Sequence, residues 1–156
     1  MSVCTAITKQ MFKGFGQFFQ QTISNDQQSS QQETQQKDVI KVIDFGLSQP
    51  FMAGPMLQQC GTQYYIAPEV SKGSYDEKCD MWSIGVILYF TVSGRPPFWG
   101  DNKQEIFENL KKGSYSFDAE YWSDKSDDVK DLITRLLEKD PKKRFSASQA
   151  INHRWI

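Results

Sequence analysis

Histidine is nearly absent from this chain, one in 156 residues, and cysteine is scarce, with three. Cys4, Cys60 and Cys79 lie far apart and form no C-x-x-C pair, so neither a disulfide framework nor a zinc site is supported. Free thiols fit a reducing compartment, and a cytoplasmic location is expected. No apolar run approaches the ~18 residues of a membrane span, so no membrane partner is expected. Lys9 and Lys13 are followed by no apolar h-region, which argues against a signal peptide. An excess of either charge is missing too: 18 Lys and Arg against 19 Asp and Glu leave a net charge of -1. That balance offers no basic field for a nucleic-acid backbone, and no nucleic-acid partner is expected. Hydrophobic residues make up 38%, below the roughly 45–50% of ordinary globular chains, which implies that part of the chain is unpacked.

What is present divides near residue 38. From Gln20 to Asp38 the chain is mostly Gln, Ser, Asn, Asp and Thr, with Ile23 its only apolar side chain. Such a stretch buries too little surface to offset the ~1–2 kcal/mol of backbone entropy lost per ordered residue. Residues 1–38 are therefore expected to be a disordered, Gln-rich segment. Phe12, Phe15, Phe18 and Phe19 within it are candidates for local folding or for docking on a partner.

Order is expected from Val39. The run Val39-Ile40-Lys41-Val42-Ile43 is β-branched and predicts a short strand, and residues 46–67, broken by Pro50, Gly54 and Pro55, predict a long loop. Helices dominate afterwards. From Asp80, read as an N-cap, the chain is apolar on nearly every side through Val92 and stops at Gly94 and Pro96-Pro97. A helix hydrophobic all round belongs in the middle of a domain. Asn102 and Glu105 suggest a capping box opening a helix with Ile106, Phe107 and Leu110 inward. Ser126 starts another, with Val129, Leu132, Ile133, Leu136 and Leu137 on one face, and Ser146 with Gln149 caps a last one before Ala150, Ile151 and Trp155. The fold class expected is mainly α: one strand, a loop, then four or five helices.

The chemistry concentrates at Asp44-Phe45-Gly46, where the predicted strand ends. A carboxylate there suits Mg²⁺, a hard cation that prefers oxygen ligands, and the glycine lets the backbone turn. Taken alone, the tripeptide also fits an ordinary strand-to-turn aspartate. Gly61-Thr62-Gln63-Tyr64-Tyr65-Ile66-Ala67-Pro68-Glu69 follows, then Asp80-Met81-Trp82-Ser83-Ile84-Gly85, then Gly94-Arg95-Pro96-Pro97-Phe98. In this order and separation the motifs resemble the eukaryotic protein kinases over about 39–156. Tyr75 to Asp80, the Pro96-Pro97-Phe98 corner and His153-Arg154-Trp155-Ile156 look most like the calcium/calmodulin-dependent group, especially its calcium-dependent kinases.

The resemblance implies the helical, C-terminal lobe of a serine/threonine kinase, with ATP and Mg²⁺ as cofactors and proteins as substrates. It implies that Asp44 chelates Mg²⁺ on the ATP phosphates, with Phe45 and Gly46 completing the nucleotide-side turn. Residues 44–69 become the activation segment, and Thr62 marks serine/threonine rather than tyrosine specificity. Ala67, Pro68 and Glu69 close that segment, with Glu69 paired to Arg144 in a carboxylate–guanidinium fork. Asp80 holds the catalytic-loop backbone, with Trp82 and Gly85 packed around it. Read singly, Asp80 fits a plain N-cap, Trp82 and Gly85 fit packing residues, and Glu69 fits a solvated surface charge. Arg144, with Lys139, Lys142 and Lys143, likewise fits a solvated helix-terminal face, and His153 a helix-end residue rather than a base.

Parts of the family's machinery are missing. A catalytic H-R-D-x-x-x-x-N loop belongs shortly before Asp44, where Gln-rich sequence stands instead, and no V-A-I-K strand precedes it. Gly14-Phe15-Gly16 resembles a phosphate-covering loop, but Phe19 stands where its third glycine belongs. The chain is therefore expected to be inactive alone. No calcium-loop motif occurs, and none of Ser48, Thr62, Tyr64 and Tyr65 stands at the usual loop phosphosite. Phe90 takes the place where some basophilic kinases carry a glutamate, which leaves substrate preference open. Apolar surface is expected around Ile40, Val42 and Phe45, facing the absent upper lobe and favouring association. The alternative reading is a non-catalytic, kinase-derived lobe that binds proteins.

Overall fold

A 16-residue stretch with apolar side chains on every side can be helical only if other elements surround it. In a computed structural model of the chain, which describes Ser48, residues 54–57 and residues 63–156, that stretch is helix α1, Lys78–Ser93. The expected strand at 39–43, the Gln-rich segment, Asp44-Phe45-Gly46 and Thr62 lie outside the described residues, as do Ile40 and Val42.

The start of α1 differs from the sequence reading. Asp80 is not its N-cap: the helix begins three residues earlier, with Glu77 at the cap position. Asp76 takes over the capping work, its Oδ1 accepting from the Lys78 backbone N–H at 3.0 Å. Asp80 instead sits in the first turn, where a carboxylate complements the positive end of the helix dipole. At the other end Gly94 adopts φ 72°, a left-handed conformation that costs other residues, and its N–H closes on Phe90 O at 2.8 Å.

Helix α2 spans Lys103–Lys112, α3 spans Ala119–Trp122, α4 spans Asp127–Leu136 and α5 spans Ala147–Ile151. Single 3-10 turns precede them at Gln63–Tyr65 and Val70–Lys72. Among the described residues there is no sheet; an isolated antiparallel bridge joins Met56 and Tyr75. The capping signals act as local physics requires. Ser126 Oγ accepts from Val129 N at 3.4 Å, and Ser146 with Gln149 forms a full capping box. At α2 the box is offset by one residue: Asn102 Oδ1 accepts from Glu105 N, while the Glu105 carboxylate reaches back to Asp101 N, each at 2.9 Å. Phe107 was expected inward, yet it is 42% exposed; α2 buries Leu110 and only part of Ile106. Its narrow apolar stripe does not extend to Phe107. Helix α3 was not foreseen, because four residues are too few to show a period.

The core lies between α1 and α4. Leu88 of α1 meets the same buried cluster as Leu132, Ile133 and Leu136 of α4, all with essentially no exposure. Burying each such side chain is worth roughly 1.5–3 kcal/mol. Beside it runs an aromatic layer. Trp122 of α3 tilts against Tyr89 at 4.8 Å between ring centroids and meets Phe117 edge-on at 4.7 Å. Tyr89 keeps its polar end satisfied by donating to Ser116 O at 2.6 Å. Phe98, after the proline corner, stacks flat on Trp82 with centroids 5.4 Å apart.

Candidate functional site

Ala67-Pro68-Glu69 runs into the core: Ala67, Pro68, Glu69 and Val70 are all buried. Val70 N donates to Ala67 O at 3.0 Å, making a tight turn that aims the Glu69 side chain inward. A carboxylate taken from water needs an opposite charge and full hydrogen bonding. Arg144 supplies both. Its Nη1 donates to Glu69 Oε1 at 2.5 Å and its Nη2 to Glu69 Oε2 at 3.0 Å, a fork between groups 75 residues apart. Glu69 is 7% exposed and Arg144 not at all. The solvated-surface reading of these two charges is thereby overturned, because the turn after α4 folds the guanidinium under α1.

Two further guanidinium donors reach backbone carbonyls. Arg144 Nη1 donates to Lys78 O and Nε to Glu138 O, both at 2.8 Å, and the charge lies 5.1 Å from the centroid of the Trp82 ring. Lys78 Nζ returns a bond to Arg144 O at 2.8 Å. One side chain thus ties three places together: the end of the 44–69 segment, the first turn of α1 and the chain after α4.

Trp82 lies between the guanidinium and Phe98, so it packs the fork against the core. Gly85 faces α4 so closely that an added Cβ would lie 2.9 Å from the Cβ of Leu136. Asp80 is exposed and accepts from the Cys79 thiol at 3.8 Å. Burial first, then the Asp80 and Glu69 carboxylates, push the Cys79 thiol far above its ordinary range, so it is no thiolate at neutral pH.

The fork is joined to the segment before it by Ser83, whose Oγ donates to Tyr65 O at 2.8 Å and pins the 3-10 turn to α1. That turn also contacts α2, and Tyr64, Lys103, Ile106 and Phe107 line a shallow cleft between them. The structure therefore brings together Ala67, Pro68, Glu69, Arg144 and Trp82, while Gly85 lies farther along α1 against Leu136 and Leu137. It does not describe Asp44, Phe45, Gly46 or Thr62, and Asp80 stands beside this group, at the start of α1. Among the described residues no group of three or more His, Cys, Asp or Glu is placed to hold a metal ion.

Sequence reasoning missed Lys78 and Ser83. Each acts through one backbone carbonyl distant in sequence, which leaves no pattern to read. His153 stands just past the end of α5, and its Nε2 lies 3.1 Å from Asp131 Oδ2, fastening this end to α4. Arg154 pairs with Asp128 on the same helix.

A family model described as a protein kinase domain matches residues 5–156. Calcium-dependent protein kinase 4 of Plasmodium falciparum (isolate 3D7) is 48% identical over 127 residues, covering 80% of this chain and 24% of that protein. Calcium-dependent protein kinase 3 of Plasmodium yoelii yoelii is 46% identical over 122 residues, covering 77% of this chain and 23% of that protein. The chain spans about a quarter of the length of these curated relatives. With nearly the whole sequence matched, and with Glu69 closing the same ordered motifs that carried the resemblance, the chain belongs to the protein kinase family and is similar within it to the calcium-dependent kinases.

Proposed function

We propose that this chain serves ATP- and Mg²⁺-dependent phosphorylation of serine or threonine in protein substrates, contributing the helical lobe that anchors the activation segment. The observation that supports this reading best is the Glu69–Arg144 fork. It fixes the segment's C-terminal end in the core while leaving Tyr64 and Tyr65 at the surface, 43% and 40% exposed, where a peptide is able to approach. A rigid anchor beside an open segment suits a reaction in which the protein mainly positions its reactants.

In this reading Asp44 holds Mg²⁺ on the nucleotide phosphates, with Phe45 and Gly46 setting its turn, and Thr62 belongs to the serine/threonine-type segment. When bound, ATP and Mg²⁺ supply the phosphoryl group and neutralise charge building on it. The chain alone transfers little phosphate, because no His-Arg-Asp run occurs anywhere in the sequence to supply a base. Balanced charge fits protein substrates and a cytoplasmic setting. No helix among the described residues is long and apolar enough to cross a membrane.

The test has two arms. The purified chain with Mg·ATP and basic serine/threonine peptides is expected to match its Asp44→Ala variant. Replacing residues 1–38 with the matching upper lobe and catalytic loop of the Plasmodium falciparum relative is expected to give transfer to serine or threonine. Asp44→Ala should then abolish that transfer. A folded chimera without transfer would favour the non-catalytic, protein-binding alternative.

A further inference from the structure

The single histidine of the chain, His153, has both ring nitrogens engaged and a side chain only 9% exposed. The Trp155 backbone N–H donates to Nδ1 at 3.3 Å, and Nε2 lies 3.1 Å from Asp131 Oδ2 on α4. An N–H donates to Nδ1 only when that nitrogen is bare. The neutral ring therefore carries its proton on Nε2 and donates it to the carboxylate. The other charged groups at this corner are matched among themselves. Arg135 Nε donates to Asp131 Oδ1 at 3.3 Å, and Arg154 pairs with Asp128 of α4. Phe145, from the chain after α4, meets the imidazole with ring centroids 6.2 Å apart and has the Arg135 guanidinium 5.6 Å from its own centre.

A second proton on this ring goes to Nδ1, which turns an acceptor into a donor. Two N–H groups then face each other, from Nδ1 and from Trp155, in a place where little water reaches either. On the other side of the ring the same proton makes the bond to Asp131 charge-assisted and stronger. We propose that His153 is a proton-operated latch: neutral, it holds the Trp155 backbone, and protonated, it releases Trp155 while tightening on α4. Trp155 is the partner that moves, because the imidazole is pinned twice. His153 N donates to Ala150 O at 3.1 Å, and Nε2 is tied to α4, whereas Trp155 is only partly buried against the core. Asp131 does not compete for the proton. The His153 bond and Arg135 hold its carboxyl below its ordinary 3.8, so it stays ionised across the range in which an imidazole titrates.

This inference goes beyond the kinase reading and does not depend on phosphoryl transfer. Its test follows the ¹⁵N-enriched full chain by NMR from about pH 8 to about pH 5, the span in which imidazoles change charge. With one histidine present, the ring nitrogen signals belong to His153. At the upper end they should report a proton on Nε2 and none on Nδ1. As the ring charges, the Trp155 amide signal should move with the same midpoint, and its protection factor against hydrogen exchange should fall roughly fivefold, the worth of one hydrogen bond. A Trp155 amide that does not respond, or that follows a different midpoint from the ring, overturns the proposal. A neutral ring protonated on Nδ1 overturns it as well.

A variant separates the latch from a general effect of acid. His153→Asn keeps an acceptor oxygen close to the position of Nδ1 but takes up no proton in this range. Its Trp155 amide should keep the same shift and protection factor at both ends of the titration. A fall in protection equal to that of the parent chain would show that some other group releases Trp155. If the variant does not fold, judged by the near-ultraviolet signal of Trp82 and Trp122, the midpoints in the parent chain still decide.

Discussion

A β-carbon built on Gly85 of α1 would sit 2.9 Å from the Cβ of Leu136 on α4, closer than any real contact of this kind. The neighbour cannot swing away, because a Cβ moves only with its backbone. Gly85→Ala gains ~1 kcal/mol of helix propensity but forces the two helices apart, which commonly costs ~1–3 kcal/mol. We expect a net loss of about 1–2 kcal/mol, read as a lower urea midpoint at unchanged slope. Stability equal to or above the parent chain would show that the α1–α4 contact yields easily.

Breaking the fork is expected to cost more. Arg144→Met leaves the Glu69 carboxylate buried without its partner and frees the Lys78 and Glu138 carbonyls, a loss of ~3–5 kcal/mol. Glu69→Gln, which keeps the shape but leaves the guanidinium uncompensated, should cost somewhat less. The double variant Glu69→Gln with Arg144→Met should lose well under the sum of the two single losses, because each single change strands the other's charge and the double change strands neither. Additive losses in a denaturant series would mean that the two residues act independently.

Most of the helical framework is legible in the sequence because it depends on local rules. Ser126 and Ser146 announce their helices through cap geometry, and the face of α4 from Val129 to Leu136 follows a plain 3.6-residue period. The errors fall where a rule has several ways to be satisfied. Asp76 and Asp80 both offer a carboxylate near the start of α1, and only the packed structure selects the earlier one. Phe107 reads as core by type, but one face of α2 has too little core to reach it. The Glu69–Arg144 pairing came from family resemblance, since nothing in a charge 75 residues away marks it as a partner. Ser83 and Lys78 were invisible for the same reason, as they meet carbonyls that every residue carries.

Acid should loosen the end of the chain. The bond from His153, reinforced by Arg135, holds the Asp131 carboxyl below its ordinary value of 3.8. A group with a depressed folded pKa adds stability that is fully present above the unfolded value and is lost as pH falls through the folded one. The Asp131 side chain is 40% exposed, so solvent screens the effect and its worth stays below about 1 kcal/mol. The stability gap between the parent chain and Asp131→Asn should therefore shrink as the pH drops below the ordinary carboxylate value. A gap that is unchanged down to pH 2.5, in a titration of urea midpoints, would remove the carboxylate from this role.

Cys79 lies beside two carboxylates, and its chemistry gives a test of how firmly the first turn of α1 is held. The thiol donates to Asp80, and burial together with Asp80 and Glu69 disfavours the thiolate that alkylating reagents require. In a Cys4→Ser, Cys60→Ser background, iodoacetamide at pH 8 should modify Cys79 at least ~100-fold more slowly than it modifies the urea-unfolded chain. Adding Arg144→Met removes a positive charge that favours the thiolate, yet it also loosens the turn around Lys78, so the two effects oppose. Loosening should prevail, because reaction through local opening depends on the free energy of that opening, and loss of the fork lowers it. Faster modification of Cys79 in the Arg144→Met chain is thus expected under native conditions. A slower rate would show that the first turn of α1 stays closed without the guanidinium.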